Sequence, residues 1–135
     1  MPNFDSLRVG DQLPQRQFTP TNVSLFMYNA AIWNAHRIHY DERYTTEVEA
    51  HPGVVIDGPL QGDWLAQVVC DWLADAGQLL SFEYTNRHAT YLGETLCSGG
   101  AVAQIDATNT TVTLDLFVKN AAGEVTTPGK AIVRF

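Results

Sequence analysis

The chain has 135 residues, 45% of them hydrophobic, which fits one globular domain and excludes a disordered or low-complexity protein. Its formal net charge of −7, with only eight basic residues, argues against nucleic acid as a partner, because phosphate binding depends on clustered cations. No apolar stretch has membrane-spanning length and the first residues lack a secretion-signal pattern, so we expect a cytoplasmic protein without membrane contact.

The first third of the chain predicts a short strand and two helical segments. Residues 15–19 can form the strand, and Thr19 or Thr21 can cap the helix that follows. In this helix, apolar residues recur at the three-and-four spacing that is typical of a core-facing stripe. They are Val23, Phe26, Met27, Ala30 and Ala31. A second helical segment begins at Asp41 and ends at residues 52–53, which are Pro-Gly.

The middle of the chain predicts one long helix over residues 59–76, preceded by a short apolar strand at residues 54–56. A four-residue repeat marks a wide apolar stripe, which indicates a helix wrapped on most sides by a sheet. The repeat consists of Leu60, Trp64, Val68 and Trp72. Pro59 suits the first helical position, and Gly58 before it allows a ligand to approach the backbone closely. The free N–H groups of the first turn can stabilise a developing negative charge.

After Gly77 the hydrophobic period changes from helical to two, as in half-exposed strands. The strand-like segments are residues 81–84, 96–106, 111–119 and 130–135. The pair Gly99 and Gly100 predicts a bulge in the second of them. Early helices, one central helix and an antiparallel meander predict an α+β fold in a single domain spanning residues 1–135.

The densest group of protic side chains lies at residues 34–41, which read Asn-Ala-His-Arg-Ile-His-Tyr-Asp. This segment contains two of the four histidines, and histidine can donate and accept a proton near neutral pH. If residues 37–39 are extended, His39 and Arg37 share one face while Ile38 points into the core. The buried neighbour would then fix the orientation of His39, as a proton-transfer group requires.

Residues 34–41 resemble part of the hydratase motif of MaoC-like hot-dog proteins. Tyr44 and residues 56–62, which read Ile-Asp-Gly-Pro-Leu-Gln-Gly, extend the resemblance. That family contains (R)-specific enoyl-CoA hydratases and acyl dehydratases, and this chain is most similar to its mesaconyl-CoA hydratase-like branch. The usual motif, Asp-x-Asn-Pro-x-His-x-Asp, places its histidine on His39 and its first aspartate on Asn34. The resemblance covers nearly the whole chain and implies a hot-dog fold, an antiparallel sheet wrapped around a long central helix.

The resemblance implies a lyase that adds water reversibly to a trans-2-enoyl thioester of CoA or an acyl carrier, with no cofactor. His39 would act as acid/base, and the backbone N–H of Gly58 would polarise the thioester carbonyl. Asn34 stands where the family has a carboxylate. An amide cannot take a proton at neutral pH, but it can orient water by donating and accepting hydrogen bonds.

Four more side chains each have a functional and a structural interpretation. Asp57 is either a second carboxylate in the site or the cap of the central helix, and Asp41 is either a catalyst or, as we expect, a helix cap. His36 either assists His39 or makes a structural hydrogen bond. Arg87 either meets a CoA phosphate or is solvated. We therefore name Asp57, Arg87 and His36 as candidate substrate-binding residues.

No metal site is expected, because no cysteine or carboxylate cluster completes a tetrahedral set with His36 and His39. Cys70 and Cys97 lack metal or redox spacing, and we expect both to be small buried residues in a reducing compartment.

Several functional hypotheses remain open from the sequence. The chain could be a homodimeric hydratase, one subunit of a heteromeric hydratase, or a non-catalytic hot-dog module that only binds or assembles. A hot-dog thioesterase is a further alternative, which Asp57 or Asp63 would support. The aromatic residues could line an apolar tunnel for a long or polycyclic acyl group, or could simply fill the core.

Overall fold

The computed structural model describes residues 1–135 as a five-stranded antiparallel sheet curled around one long helix. The strands are β1 (Arg16–Phe18), β2 (Gln78–Tyr84), β3 (Leu96–Asp106), β4 (Thr111–Lys119) and β5 (Val125–Arg134). Their order across the sheet is β1-β3-β4-β5-β2, so β1 and β2 are the edges. The helices are α1 (Asn22–Ala31), α2 (Glu42–Glu47) and α3 (Gly58–Leu73), and short 3-10 turns include Arg37–His39. The α+β arrangement expected from the sequence is confirmed.

The central helix α3 buries its apolar stripe against the concave face of the sheet, as its four-residue repeat predicts. The buried side chains of α3 that belong to the hydrophobic core are Trp64, Leu65, Val68, Val69 and Leu73. Alternate residues of β4 point at them, which is the period-two pattern of a half-buried strand. The Trp64 ring stacks on Phe18 of β1, with ring centroids 4.3 Å apart. None of the helices is both long and apolar enough to cross a membrane.

The face of α1 that the sequence assigns to the core is exposed, so that prediction is wrong. Phe26 is 60% exposed and Met27 is 66% exposed, whereas the buried positions of α1 are Leu25 and Asn29. The start of α1 follows the prediction, because the Thr21 side chain accepts from the backbone N–H of Ser24 in a reciprocal capping box. An apolar stripe predicts a covered surface, but in the isolated chain nothing covers it.

Several local expectations are also corrected. The register shift in β3 falls between Val102 and Gln104 rather than at the glycine pair, because Gly99 and Gly100 face the side chains of Phe117 and Leu116 across a regular ladder. Residues 54–56 are buried but form no strand, and their one β-bridge is the isolated pair of Val55 and Tyr91. The last strand begins at residue 125 rather than 130. Cys70 is exposed and Cys97 is half-buried, since both lie off the apolar stripes of their elements.

Replacing Gly62 of α3 with alanine is expected to lower the stability of the chain, although alanine usually stabilises a helix relative to glycine. A Cβ at this buried position of α3 would overlap the Tyr84 ring of β2, so Gly62→Ala is expected to destabilise the chain by about 1–3 kcal/mol. Without that ring, the same change should stabilise the helix by about 1 kcal/mol, because alanine has the higher helix propensity. Urea unfolding of Gly62→Ala in the wild-type and Tyr84→Ala backgrounds measures both effects. The same sign in the two backgrounds would contradict this packing.

Candidate active site

His39 is buried at the end of a 3-10 turn, Arg37–His39. The extended conformation that the sequence analysis considers for these residues is therefore wrong. The turn buries His39 and leaves Arg37 exposed, so the two do not share a face. The Nδ1 atom of His39 lies 2.8 Å from the backbone carbonyl oxygen of Val55. Because a carbonyl can only accept, Nδ1 carries the proton, and in the neutral ring Nε2 is the free base. The orientation of His39 is therefore fixed by the backbone of the segment that leads into α3.

Asp57 faces His39 and does not cap α3. It occupies the N-cap position, but its side chain makes no capping hydrogen bond, so the capping interpretation is wrong. Its Oδ2 atom lies 3.5 Å from Nε2 of His39 and has no hydrogen-bond partner, although the side chain is fully buried. Burial raises the pKa of the Asp57 carboxyl, and this outweighs the opposing effects of its hydrogen bond from Asn29 and of the nearby His39.

Asn29 of α1 positions this carboxyl, a role that the sequence did not reveal. Its Nδ2 donates to Asp57 Oδ1 at 2.9 Å and to the carbonyl oxygen of Leu25 at 2.7 Å. Its own Oδ1 is buried without a partner. A recognisable signal existed, because Asn29 is four residues after Leu25 and shares its face of α1. A polar side chain on a buried face indicates a hydrogen-bonded role.

The first turn of α3 lies beside the His39–Asp57 pair. Gly58 begins the helix, and its N–H belongs to the first turn, where backbone donors have no intrahelical acceptor. A Cβ on Gly58 would overlap the side-chain amide of Asn86, so a larger residue here would have to displace that amide. One turn further, the buried Gln61 donates to Thr90 Oγ1 at 3.1 Å and accepts from Thr127 Oγ1 at 3.0 Å. These contacts join the start of α3 to the sheet.

Asn34 and His36 lie five and three residues before His39 in the chain. Asn34 is half-buried, and its Oδ1 accepts from the backbone N–H of His36 at 3.0 Å. His36 is exposed, and its ring packs edge-on against that of His39 with centroids 5.7 Å apart. Asp41 caps α2 by accepting from the N–H of Tyr44, as expected.

Arg87 lies in the loop after β2 and lines a cavity of about 380 Å³ together with Lys130, Glu83 and Asp115. It is bonded through its backbone, whose N–H donates to the carbonyl oxygen of Thr126 at 2.9 Å. This cavity shares no residue with the His39–Asp57 pair. No group of three or more His, Cys, Asp or Glu side chains converges in a way that could hold a metal ion.

The model of the family described as hydroxyacyl-thioester dehydratase type 2 matches residues 6–92 of the chain. The chain is 44% identical over 50 residues to the mitochondrial hydroxyacyl-thioester dehydratase type 2 of Schizosaccharomyces pombe. These aligned residues cover 36% of this chain and 17% of that protein. It is 47% identical over 45 residues to the mesaconyl-C(4)-CoA hydratase of Chloroflexus aurantiacus, covering 33% and 16% respectively. The chain therefore aligns with less than a third of the length of either curated relative.

Solved structures share the fold. A MaoC-like dehydratase superimposes with a TM-score of 0.90 at 23% identity, covering 99% of this chain and 42% of that chain. An (R)-hydratase from A. caviae involved in PHA biosynthesis superimposes with a TM-score of 0.87 at 15% identity, covering 96% of this chain and 98% of that chain. The ChsH1–ChsH2 complex from Mycobacterium tuberculosis gives 0.82 at 15% identity, covering 95% and 98%. Together with the family match, these structures confirm the resemblance to MaoC-like hot-dog proteins and the single-helix hot-dog architecture.

Proposed function

The chain belongs to the hydroxyacyl-thioester dehydratase type 2 family, and from that premise we propose that it adds water reversibly to a trans-2-enoyl thioester. The observation that carries this proposal is the His39–Asp57 pair. A base nitrogen and an acid oxygen lie 3.5 Å apart, and Asp57 Oδ2 is buried without a partner. Catalytic hydrogen bonds are often long in unliganded sites and shorten when substrate binds.

In the proposed reaction, His39 Nε2 removes a proton from a water molecule while the water oxygen attacks C3 of the enoyl group. The electron pair of the C2–C3 double bond moves toward the thioester oxygen, giving an enolate. The neutral carboxyl of Asp57, favoured by its raised pKa, then protonates C2. The proton on His39 returns to Asp57, so both groups end as they began. Dehydration follows the same steps in reverse.

The developing charge on the thioester oxygen needs a donor, and we assign the N–H of Gly58 to this role. The positive end of the α3 dipole strengthens it, and Pro59 has no N–H to compete. Asn34 would orient the incoming water through Nδ2, since its Oδ1 already accepts from the backbone of His36. This division places the carboxylate function at residue 57, whereas the family motif has it at the position of Asn34.

We also propose that the chain works as a pair with a second hot-dog chain, either an identical copy or a different subunit. β2 is an edge strand, so one side of its backbone is unpaired. Leu79 and Leu80 on that strand are 38% and 45% exposed. Size-exclusion chromatography with light scattering would give the mass directly. If the chain is a monomer in solution and this monomer hydrates enoyl thioesters, the proposed pairing is wrong.

The thioesterase alternative keeps one structural argument, because a carboxyl lies beside the start of α3. Asp63 is a poor candidate, since its Oδ2 accepts from the Tyr28 hydroxyl at 3.1 Å. Burial, together with the nearby Asp63 charge, raises the pKa of Tyr28, so this hydroxyl stays a donor. Asp57 is the carboxylate that a thioesterase mechanism would use.

The test is to incubate the purified chain with trans-2-enoyl-CoA esters and follow two signals. Loss of the absorbance of the conjugated thioester without release of free thiol establishes hydration. Thiol release would identify a thioesterase. If neither signal appears with any ester, the chain is a binding module or needs a different partner subunit, and adding candidate hot-dog subunits separates these two cases.

A further inference from the structure

The exposed face of α1 ends in an unusual residue, Trp33. Its side chain is 94% exposed, and its backbone φ of 57° lies in the left-handed region that bulky residues rarely adopt. Other large apolar side chains on the same side of the chain are also open to solvent. They are Val23, Phe26, Met27 and Ile32. A contiguous exposed apolar surface of this kind indicates a binding site.

A cavity of about 310 Å³ lies in this surface, a volume at the small end of the range for small-molecule sites, roughly 300–1,000 Å³. Its walls are Phe26, Ala30, Trp33, Ala35 and Tyr40. The Phe26 and Tyr40 rings meet edge to face with centroids 6.5 Å apart. Asn29 and Asn34 are the two remaining lining residues, so no charged side chain lines the cavity. Its chemistry suits an uncharged, apolar group.

Asn29 links the cavity to the His39–Asp57 site. Asn29 lines the cavity and also donates to the Asp57 carboxyl at 2.9 Å. The backbone N–H of Asn34, the other polar lining residue, donates to the carbonyl oxygen of Asn29 at 2.9 Å. The buried Oδ1 of Asn29 has no partner, and a buried acceptor of this kind calls for a hydrogen-bond donor from a ligand or a water molecule.

We propose that this cavity binds the acyl group of the thioester and selects an uncharged acyl group with a bulky, ring-bearing apolar part. The inference rests on the proposed function, because it places the acyl group next to the acid/base pair. Aromatic walls favour flat apolar groups, and the absence of a cation in the lining disfavours an acyl group that carries its own carboxylate. Mesaconyl-type acyl groups, which carry a carboxylate, are therefore expected to be poor substrates at this site.

The experiment compares three trans-2-enoyl-CoA esters: one ending in a phenyl group, crotonyl-CoA, and one ending in a carboxylate. We expect kcat/KM to be about tenfold or more higher for the phenyl ester than for either other ester. Ala30→Trp fills the cavity from an exposed position, so it should lower kcat/KM for the phenyl ester by about tenfold more than it lowers kcat/KM for crotonyl-CoA. The matched control is Ala31→Trp, whose position is exposed but outside the cavity.

An unchanged ester preference in Ala30→Trp would overturn the inference while leaving the proposed hydration intact. Equal losses for all three esters would also overturn it, because they would mean that this surface contacts a partner chain instead. If the wild-type chain hydrates none of the esters, alone or with an added hot-dog subunit, the proposed function fails, and a binding measurement then tests the inference. Titration with the saturated phenyl ester should then shift the fluorescence of Trp33, and Trp33→Phe should abolish the shift. No shift would reject the site.

Discussion

Replacing His39 with alanine is expected to lower kcat for enoyl-thioester hydration by about 10²–10⁴-fold, the usual contribution of a positioned acid/base group. Nε2 of His39 is the only ring nitrogen free to take the water proton, since Nδ1 is bonded to the Val55 carbonyl. Steady-state kinetics with crotonyl-CoA measure the loss. KM should change much less than kcat, because the imidazole acts on the transition state.

His88→Ala is the matched control, because it removes an imidazole that is exposed and lies outside the site. Its kcat should stay within a factor of two or so of the wild type, since surface changes of this kind have small effects. Circular dichroism of His39→Ala is needed as well, because the lost hydrogen bond to Val55 can loosen the segment before α3. A folded His39→Ala variant with wild-type turnover would remove His39 from the mechanism.

Asp57→Asn is expected to lower hydration by about 10²-fold or more, because an amide cannot deliver a proton to C2. The substitution preserves the surrounding contacts. The new amide oxygen can accept from Asn29 Nδ2 in place of Oδ1, so the geometry of the site should persist. The control is Asn34→Asp, which restores the carboxylate that the family motif has at that position. Recovery of activity in Asp57→Asn/Asn34→Asp would show that one carboxyl is sufficient, at residue 57 or at residue 34.

The same Asp57→Asn variant should be more stable than the wild type at neutral pH. Burial raises the pKa of Asp57, so the folded chain binds this proton more tightly than the unfolded chain. The stability from that proton is present below the ordinary aspartate pKa of about 3.9 and is lost as pH rises through the folded pKa. Asparagine does not titrate, so the Tm of the variant relative to the wild type should increase as the pH rises above about 4. A relative Tm that falls with pH would contradict the buried, proton-binding state of Asp57.

Much of the fold could be predicted from sequence because its signals are local. The four-residue repeat from Leu60 to Trp72 indicated a helix wrapped by the sheet, and period two after Gly77 indicated the strands. His39 and the Gly58 N–H could be proposed from the motif, and the structure places the His39 ring beside Asp57, the residue before Gly58. Their catalytic roles remain predictions.

The remainder depends on neighbours that the sequence does not bring together. Asp57 precedes a helix, as capping residues do, and only the approach of Asn29 and His39 turns its side chain away from the backbone. The apolar stripe of α1 looked like a core face because periodicity cannot distinguish burial in the chain's own core from burial by a ligand or partner. The sequence does not predict the positioning role of Asn29, because this residue lies within that apolar run.

His39 and Asp57 are proposed to act as one acid/base unit. A double-mutant cycle tests this, with kcat/KM measured for the wild type, His39→Ala, Asp57→Asn and the combined variant. If the two residues pass one proton between them, each single change should cost nearly as much as both together. Losses that multiply in the combined variant would show that they act independently, and the proposed proton exchange between them would be wrong.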